Sequence, residues 1–326
     1  MVTIKKAALL VALLSGPIGL ALGAEEGILH GVSGTIDNEQ GIPAGVEVNQ
    51  VSERVNYRKK LDYVHRLFEN FMYPNNTIIA KSGKAPGILA ADIRGRVDIT
   101  WTFNDLEENI EYLFGLFSNL ASSSSVPTIL GVPKSYTMFE FAVTGEVATT
   151  SVIIDFVHEA TGIHLPVQVD VWLRFNHAGE ITQYDAVFRR WSVGFRSFLP
   201  KIAPLIADFL KVPMSEVTPA TLPGLVQKFL SLGICQSHDK YCLGKDQQYK
   251  SNEECLEFLQ QKVPLGLPDE MGQDNVLCRV IHVNMIPYRP DFHCPHIGPT
   301  GGGMCVNRKY EDYFKPYFPQ SFIGKP

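Results

Sequence analysis

The sequence predicts an α+β protein, with helices packed on one face of a curved antiparallel sheet and a small disulfide-rich module after them. Three observations carry this. Apolar residues recur at helical spacing from Ser52 and again from Asp105. Long alternating segments with short turns then fill roughly residues 136–191. All six cysteines fall after residue 234. Helices first and strands second is an α+β order, and 326 residues leave room for a second unit. The formal net charge is -5, with Lys and Arg spread along the chain, so no nucleic-acid footprint is present.

The chain opens on MVTIKKAALLVALLSGPIGLALGAEEG. Lys5 and Lys6 precede an apolar run, and Ala21-Leu22-Gly23 supplies small residues for cleavage. This is the pattern of a secretory signal peptide over 1–23. A membrane anchor is the alternative, but Ser15, Gly16 and Pro17 interrupt the run short of the roughly 20 apolar residues a span needs. The expectation is a secreted protein with no membrane association once the signal is removed. Residues 24–49 are Gly-rich and polar, without a period, and read as a loose arm. In a secreted chain the sequon Asn75-Asn76-Thr77 is expected to carry glycan on Asn75.

A first domain is expected over 50–199. Tyr57, Leu61, Val64, Phe68 and Phe71/Met72 form the stripe of its first helix, which Pro74 ends. GRVDITWTF reads as a short strand. Asp105 and Glu108 form an N-cap pair for a second helix, with Leu106, Ile110, Leu113, Phe114 and Phe117 as its stripe. ASSSSVP (121–127) is a loop. Strands follow over 136–144, 147–158, 165–176 and 180–191, turning at Gly145, at EATG and at NHAG. A helical connector and Cys-rich module are expected over 200–326. Residues 198–210 and 222–232 look helical, with Pro200, Pro204 and Pro213 breaking them up. Ser251 and Glu254 form a capping box before CLEFLQQ, and the remainder reads as loop.

Alternation assigns faces to the last two strands. Val167, Val169, Val171, Leu173 and Phe175 share one side, which must face a core or pocket. Gln168, Asp170, Trp172 and Arg174 share the other. In the next strand Thr182, Tyr184, Ala186 and Phe188 lie together, opposite Gln183, Asp185, Val187 and Arg189. The outer set, with Trp172 and Trp191, reads as a possible homodimer face, a solvated surface, or one covered by the C-terminal module.

RFNHAGEITQYDAVF resembles the final hairpin of the SnoaL-like polyketide cyclase and ketosteroid isomerase superfamily, the nuclear-transport-factor-two-like cone. The resemblance covers roughly residues 50–195. It implies a strongly bent sheet forming a conical barrel around a pocket, lined here by Val169, Val171, Leu173, Tyr184, Ala186 and Phe188, with Tyr112, and suited to a flat apolar small molecule. In steroid isomerases of the superfamily, a carboxylic acid three residues before the hairpin arginine donates to the developing oxyanion. Val171 occupies that position, and an aliphatic side chain cannot donate.

Dehydratases of the superfamily use His and Asp with Tyr hydroxyls. By that resemblance Asp98, His158 and His164 are the catalytic candidates, with Tyr112 and Tyr136 as possible donors. The alternatives are an Asp98 ion pair with Arg94 or Arg96, and exposure of both histidines at a hairpin tip. His65, among apolar neighbours, reads as a satisfied core residue.

Cys235, Cys242, Cys255, Cys278, Cys294 and Cys305 imply three disulfides, whose pairing the sequence leaves open among 15 possibilities. His238, His293 and His296 lie near cysteines, which raises a zinc site. Zinc ligands come in close C-x2–4-C pairs, and the wider spacings here, in an exported chain, favour disulfides, so no metal or cofactor is expected. Gly301–Gly303 lacks the following Lys-Ser/Thr of a phosphate loop and reads as a turn. RPDFHCPHIGPTGGGMC resembles the tail of a group of secreted fungal proteins in which a SnoaL-like domain precedes such a segment.

The expected function is secreted binding of an apolar, polyketide-type aromatic, with cyclisation, dehydration or isomerisation as its possible chemistry. The alternative is a non-catalytic extracellular wall or host-interaction protein whose cone is filled by its own side chains.

Overall fold

The computed structural model describes residues 46–118 and 131–322. The signal peptide, the 121–127 loop and most of the 24–49 arm lie outside them. Helix α1 (Val46–Phe71) buries Val64, Leu67, Phe68 and Phe71, as its stripe requires, while Tyr57 stays exposed against Phe141. A short helix, α2 (Asn75–Ser82), follows Pro74 directly and closes on Gly83 in the left-handed region.

Strand β1 (Leu89–Val97) turns into β2 (Thr102–Phe103); after helix α3 (Leu106–Ile110), β3 (Val132–Thr144), β4 (Val147–His158), β5 (Ile163–Phe175) and β6 (Ile181–Arg189) complete one sheet, ordered β2-β1-β6-β5-β4-β3. β3 to β6 pair antiparallel, as expected. β1 returns beside β6 and runs parallel to it, so the sheet is mixed. The NHAG turn closes on Gly179, whose φ of 84° favours glycine and whose α-carbon lies against the Tyr63 ring.

Alternation holds along β5: Val167, Val169, Val171, Leu173 and Phe175 are buried, and the residues between them face outward. In β6 it is corrected at one place. A bulge opposite Arg174 and Phe175 makes Thr182 the extra residue, so Ile181 rather than Thr182 shares the inner face with Tyr184, Ala186 and Phe188. Arg190, in the left-handed region, ends the strand and turns Trp191 into the first residue of helix α4 (Trp191–Leu210). Trp191 thereby packs on Phe188 and Phe195 and leaves the outer face to which the sequence assigned it.

Pro200 and Pro204 sit inside α4 without ending it. The helix buries Phe195, Phe198, Ile202, Ala203, Ile206 and Ala207, and that packing offsets the missing backbone hydrogen bonds. Helix α5 (Leu222–Tyr241) and helix α6 (Asn252–Glu257) follow, the latter capped by Ser251 accepting from the Glu254 amide. The stretch read as loop contains two more helices, α7 (Val276–Val283) and α8 (Pro290–Ile297). Disulfides Cys235–Cys255, Cys242–Cys294 and Cys278–Cys305 join α5 to α6, the end of α5 to α8, and α7 to the segment beyond α8. One continuous apolar core runs from α1 through the sheet to α7 and α8.

The outer sheet face is partly covered by the chain's own tail. Gln183 exchanges hydrogen bonds with the Gln320 backbone at 2.9 and 3.1 Å, Arg174 donates to the Ser321 carbonyl, and Phe318 sits under Arg96. Asp170 pairs with Arg189 and Asp185 with Arg96. No helix among the described residues is long and apolar enough to cross a membrane.

Candidate functional site

The inner face of the sheet, α1 and the helical segment from Leu106, with Trp191, Met271 and Ile281, line a partly open cavity of about 130 Å³. Its wall includes Val169, Val171, Leu173, Tyr184, Ala186, Phe188 and Tyr112, joined by residues the sequence did not nominate: Phe68, Phe71, Phe103, Phe117 and Trp191. The wall is almost wholly apolar and, among the described residues, holds no carboxylate, imidazole, lysine or arginine. A volume near 150 Å³ takes one benzene-sized ring.

The polar groups on this wall are chiefly hydrogen-bond donors. The Tyr184 hydroxyl and the Trp191 indole N–H are buried and have no partner among the described residues. Burial holds the Tyr184 and Tyr112 hydroxyls well above the usual phenol range, so both stay protonated. Tyr184 reaches its place over Gly95: a β-carbon there would lie 2.3 Å from its ring and equally close to Asn109 Oδ1.

The three acid–base candidates are not brought together. Asp98 Oδ1 accepts from the Phe188 amide at 3.0 Å, and it faces a separate groove of about 190 Å³ with Arg96, Trp101, Tyr313 and Tyr317. Loss of water around the carboxyl pushes it up to about 6, although the residue as a whole is exposed. Its expected ion pair is replaced, since Arg94 donates to Asn104 and Arg96 to Asp185. His158 is buried at the end of β4, with Nδ1 2.8 Å from the Thr161 hydroxyl, so it does not sit exposed at the hairpin tip. His164 is exposed there and pairs with Asp155 at 2.6 Å. Register pairs Val152 with Val169, and Val169 with Phe188 beside Asp98. His158 lies six strand residues beyond Val152, roughly 20 Å along a strand. His65 is half-buried, with Nδ1 2.8 Å from the Tyr136 hydroxyl.

A second cluster lies behind Tyr112. His282 at the end of α7, with His293 and His296 one turn apart on α8, are all buried, and their ligand atoms lie within 4.8 Å of one another. His282 Nδ1 is 3.4 Å from His293 Nδ1, 3.2 Å from His296 Nδ1 and 3.3 Å from the Tyr112 hydroxyl. His293 Nε2 meets Glu111 Oε2 at 3.0 Å, and Arg289 donates to the same oxygen at 2.7 Å. Burial pulls His293 and His296 down to about 3, and His282 well below its usual value, so all three are neutral at pH 7. His282 carries no local sequence signal, because its partners His293 and His296 lie 11 and 14 residues further along the chain. His238 takes no part, since its Nε2 accepts from the Gln248 amide.

Two family profiles match the chain: the BfoA N-terminal domain over residues 65–186 and the BfoA family C-terminal domain over 190–308. Bifonsecin B biosynthesis cluster protein A of Aspergillus brasiliensis is 38% identical over 259 residues, covering 78% of this chain and 82% of the relative. Aurasperone B biosynthesis cluster protein A of Aspergillus niger is 37% identical, with 78% and 80% covered. Among solved structures, a SnoaL-like polyketide cyclase from Jannaschia aligns over 42% of this chain and 90% of its own, at 12% identity and a TM-score of 0.31. A Mycobacterium tuberculosis LEH-like epoxide hydrolase aligns over 47% and 98%, at 9% identity and a TM-score of 0.34.

Proposed function

The chain belongs to the BfoA family, and from that membership we propose that it serves polyketide metabolism by holding an oxygenated aromatic molecule inside its cone. The observation that carries the reading is the cavity wall, which is lined by aromatic faces, includes Tyr184 and Trp191 with their unpaired buried donors, and among the described residues holds no carboxylate or imidazole. Aromatic walls favour a flat ring, and unpaired buried donors favour a ligand with carbonyl or phenol oxygens. The present volume takes one ring, so a larger polyketide would insert a single ring and leave the rest at the mouth. Relatives named for biosynthesis clusters fit a role in handling such a compound.

The wall favours binding and positioning over proton transfer. Val171 stands on it where superfamily isomerases place an acid, and Asp98, His158 and His164 lie elsewhere. The open cavity also speaks against a cone filled by its own side chains. Calorimetric titration of the purified full-length protein with phenol and with toluene tests the reading. Phenol is expected to bind more tightly, by about fivefold for one net hydrogen bond of ~1 kcal/mol. Equal affinities, or no uptake of either, would refute it.

Secretion, with glycan on Asn75, belongs to the same proposal. Asn75 is exposed at the start of α2, where an enzyme could reach it. Pairing of two copies through the sheet would use what the tail leaves open, with Ile153, Trp172 and Val187 each more than 40% exposed. Intact mass and light scattering of protein from its native source read out both.

A further inference from the structure

We propose that His282, His293 and His296 bind a divalent zinc-class ion through their Nδ1 atoms, with the Tyr112 hydroxyl at the fourth corner. The three distances from His282 match the ion, and the three histidines keep their ligand atoms within 4.8 Å of one another. Zinc–nitrogen bonds of about 2.0–2.1 Å in a tetrahedral site put donor atoms about 3.3–3.4 Å apart. From His282 Nδ1 the other three atoms lie at 3.2, 3.3 and 3.4 Å. Hydrogen bonding alone does not account for this set. A neutral ring nitrogen has either one proton or one lone pair, and here one nitrogen faces three polar atoms in a buried space. An ion at the centre uses all four lone pairs at once.

The surroundings prepare the ligands. His293 Nε2–H donates to Glu111, which leaves Nδ1 unprotonated toward the centre and is the carboxylate–histidine arrangement of metal sites. Arg289 holds that carboxylate in turn. Both ligand helices are fixed covalently: Cys278 lies one turn before His282 on α7 and bonds Cys305, while Cys294 follows His293 on α8 and bonds Cys242. The sequence disfavours a Cys/His zinc site and predicts no metal; with the sulfurs in disulfides, the donors of the site proposed here are nitrogen and phenol oxygen. Neutral nitrogen and oxygen donors in a tetrahedron suit zinc, whereas copper(II) prefers a tetragonal site.

Four protein donors make a closed, structural site. It ties the π-helical turn Glu111–Gly115, which carries Tyr112 on the cavity wall, to the disulfide module. The inference stands apart from ligand binding in the cone, since it needs only the metal.

Elemental analysis of the purified full-length protein, dialysed against zinc and then buffer, is expected to find about one zinc per chain. Cobalt(II) substitution is expected to give the intense visible absorption of a tetrahedral site. Glu111→Gln should weaken zinc about 10–100-fold, and His296→Asn should abolish it, while His164→Asn changes neither. Wild-type protein that takes up neither zinc nor cobalt in the folded state overturns the proposal, as does binding that survives His296→Asn. Should His296→Asn fail to fold, the cobalt spectrum of the wild type decides alone.

Discussion

At the scale of residues, the cone is defined by what its inner row lacks. Val171 is buried and aliphatic on the cavity wall. A carboxyl introduced there by Val171→Asp would be desolvated, and its folded-state pKa would rise above the unfolded value of about 3.9. The sign follows from proton binding. Below about pH 4 both states are protonated and the pH-linked penalty is absent; it grows as pH rises toward the folded pKa. Urea melts should therefore show Val171→Asp losing more stability at pH 8 than at pH 4, and an equal loss at both would place residue 171 in water. Gly95→Ala tests the seat of Tyr184, because the added methyl overlaps its ring. A loss of about 1–3 kcal/mol is expected for such overpacking; a neutral result would mean Tyr184 moves freely.

At the scale of elements, the strands were legible and the tail helices were not. β5 shows its inner face as an unbroken alternation from Val167 to Phe175, which is a local property of the chain. The bulge at Thr182 is not local, since it exists only in the pairing with β5. Pro200 and Pro204 argued for breaks in a helix that six buried apolar residues keep whole. α7 and α8 are only eight residues each, α8 carries Pro290 and Pro295, and the disulfides that hold both depend on partners far along the chain. The same distance hid the second cluster, where Tyr112 meets His282 across 170 positions. Removing Cys278–Cys305 with a double serine variant reopens a loop of 27 residues. A stability loss of about 3 kcal/mol is expected from loop entropy, read as a lower denaturant midpoint, and an unchanged midpoint would show that α7 is held by packing alone.

At the scale of the whole molecule, the cone and the Cys-rich module share one core, and the tail crosses back over the sheet. Deleting residues 310–326 would uncover Gln183 and widen the apolar surface around Trp172, and light scattering should then report self-association. A deletion protein as monomeric as the parent would show that the tail does not shield this face. The central claim is that the inner row encloses a site for an oxygenated aromatic ring, and native mass spectrometry of the full-length protein with added phenol tests it most directly. One ligand per chain is expected, weakened by Tyr184→Ala on the inner face and untouched by Asp170→Ala on the outer. Equal weakening by both substitutions, or no bound phenol at all, would contradict it.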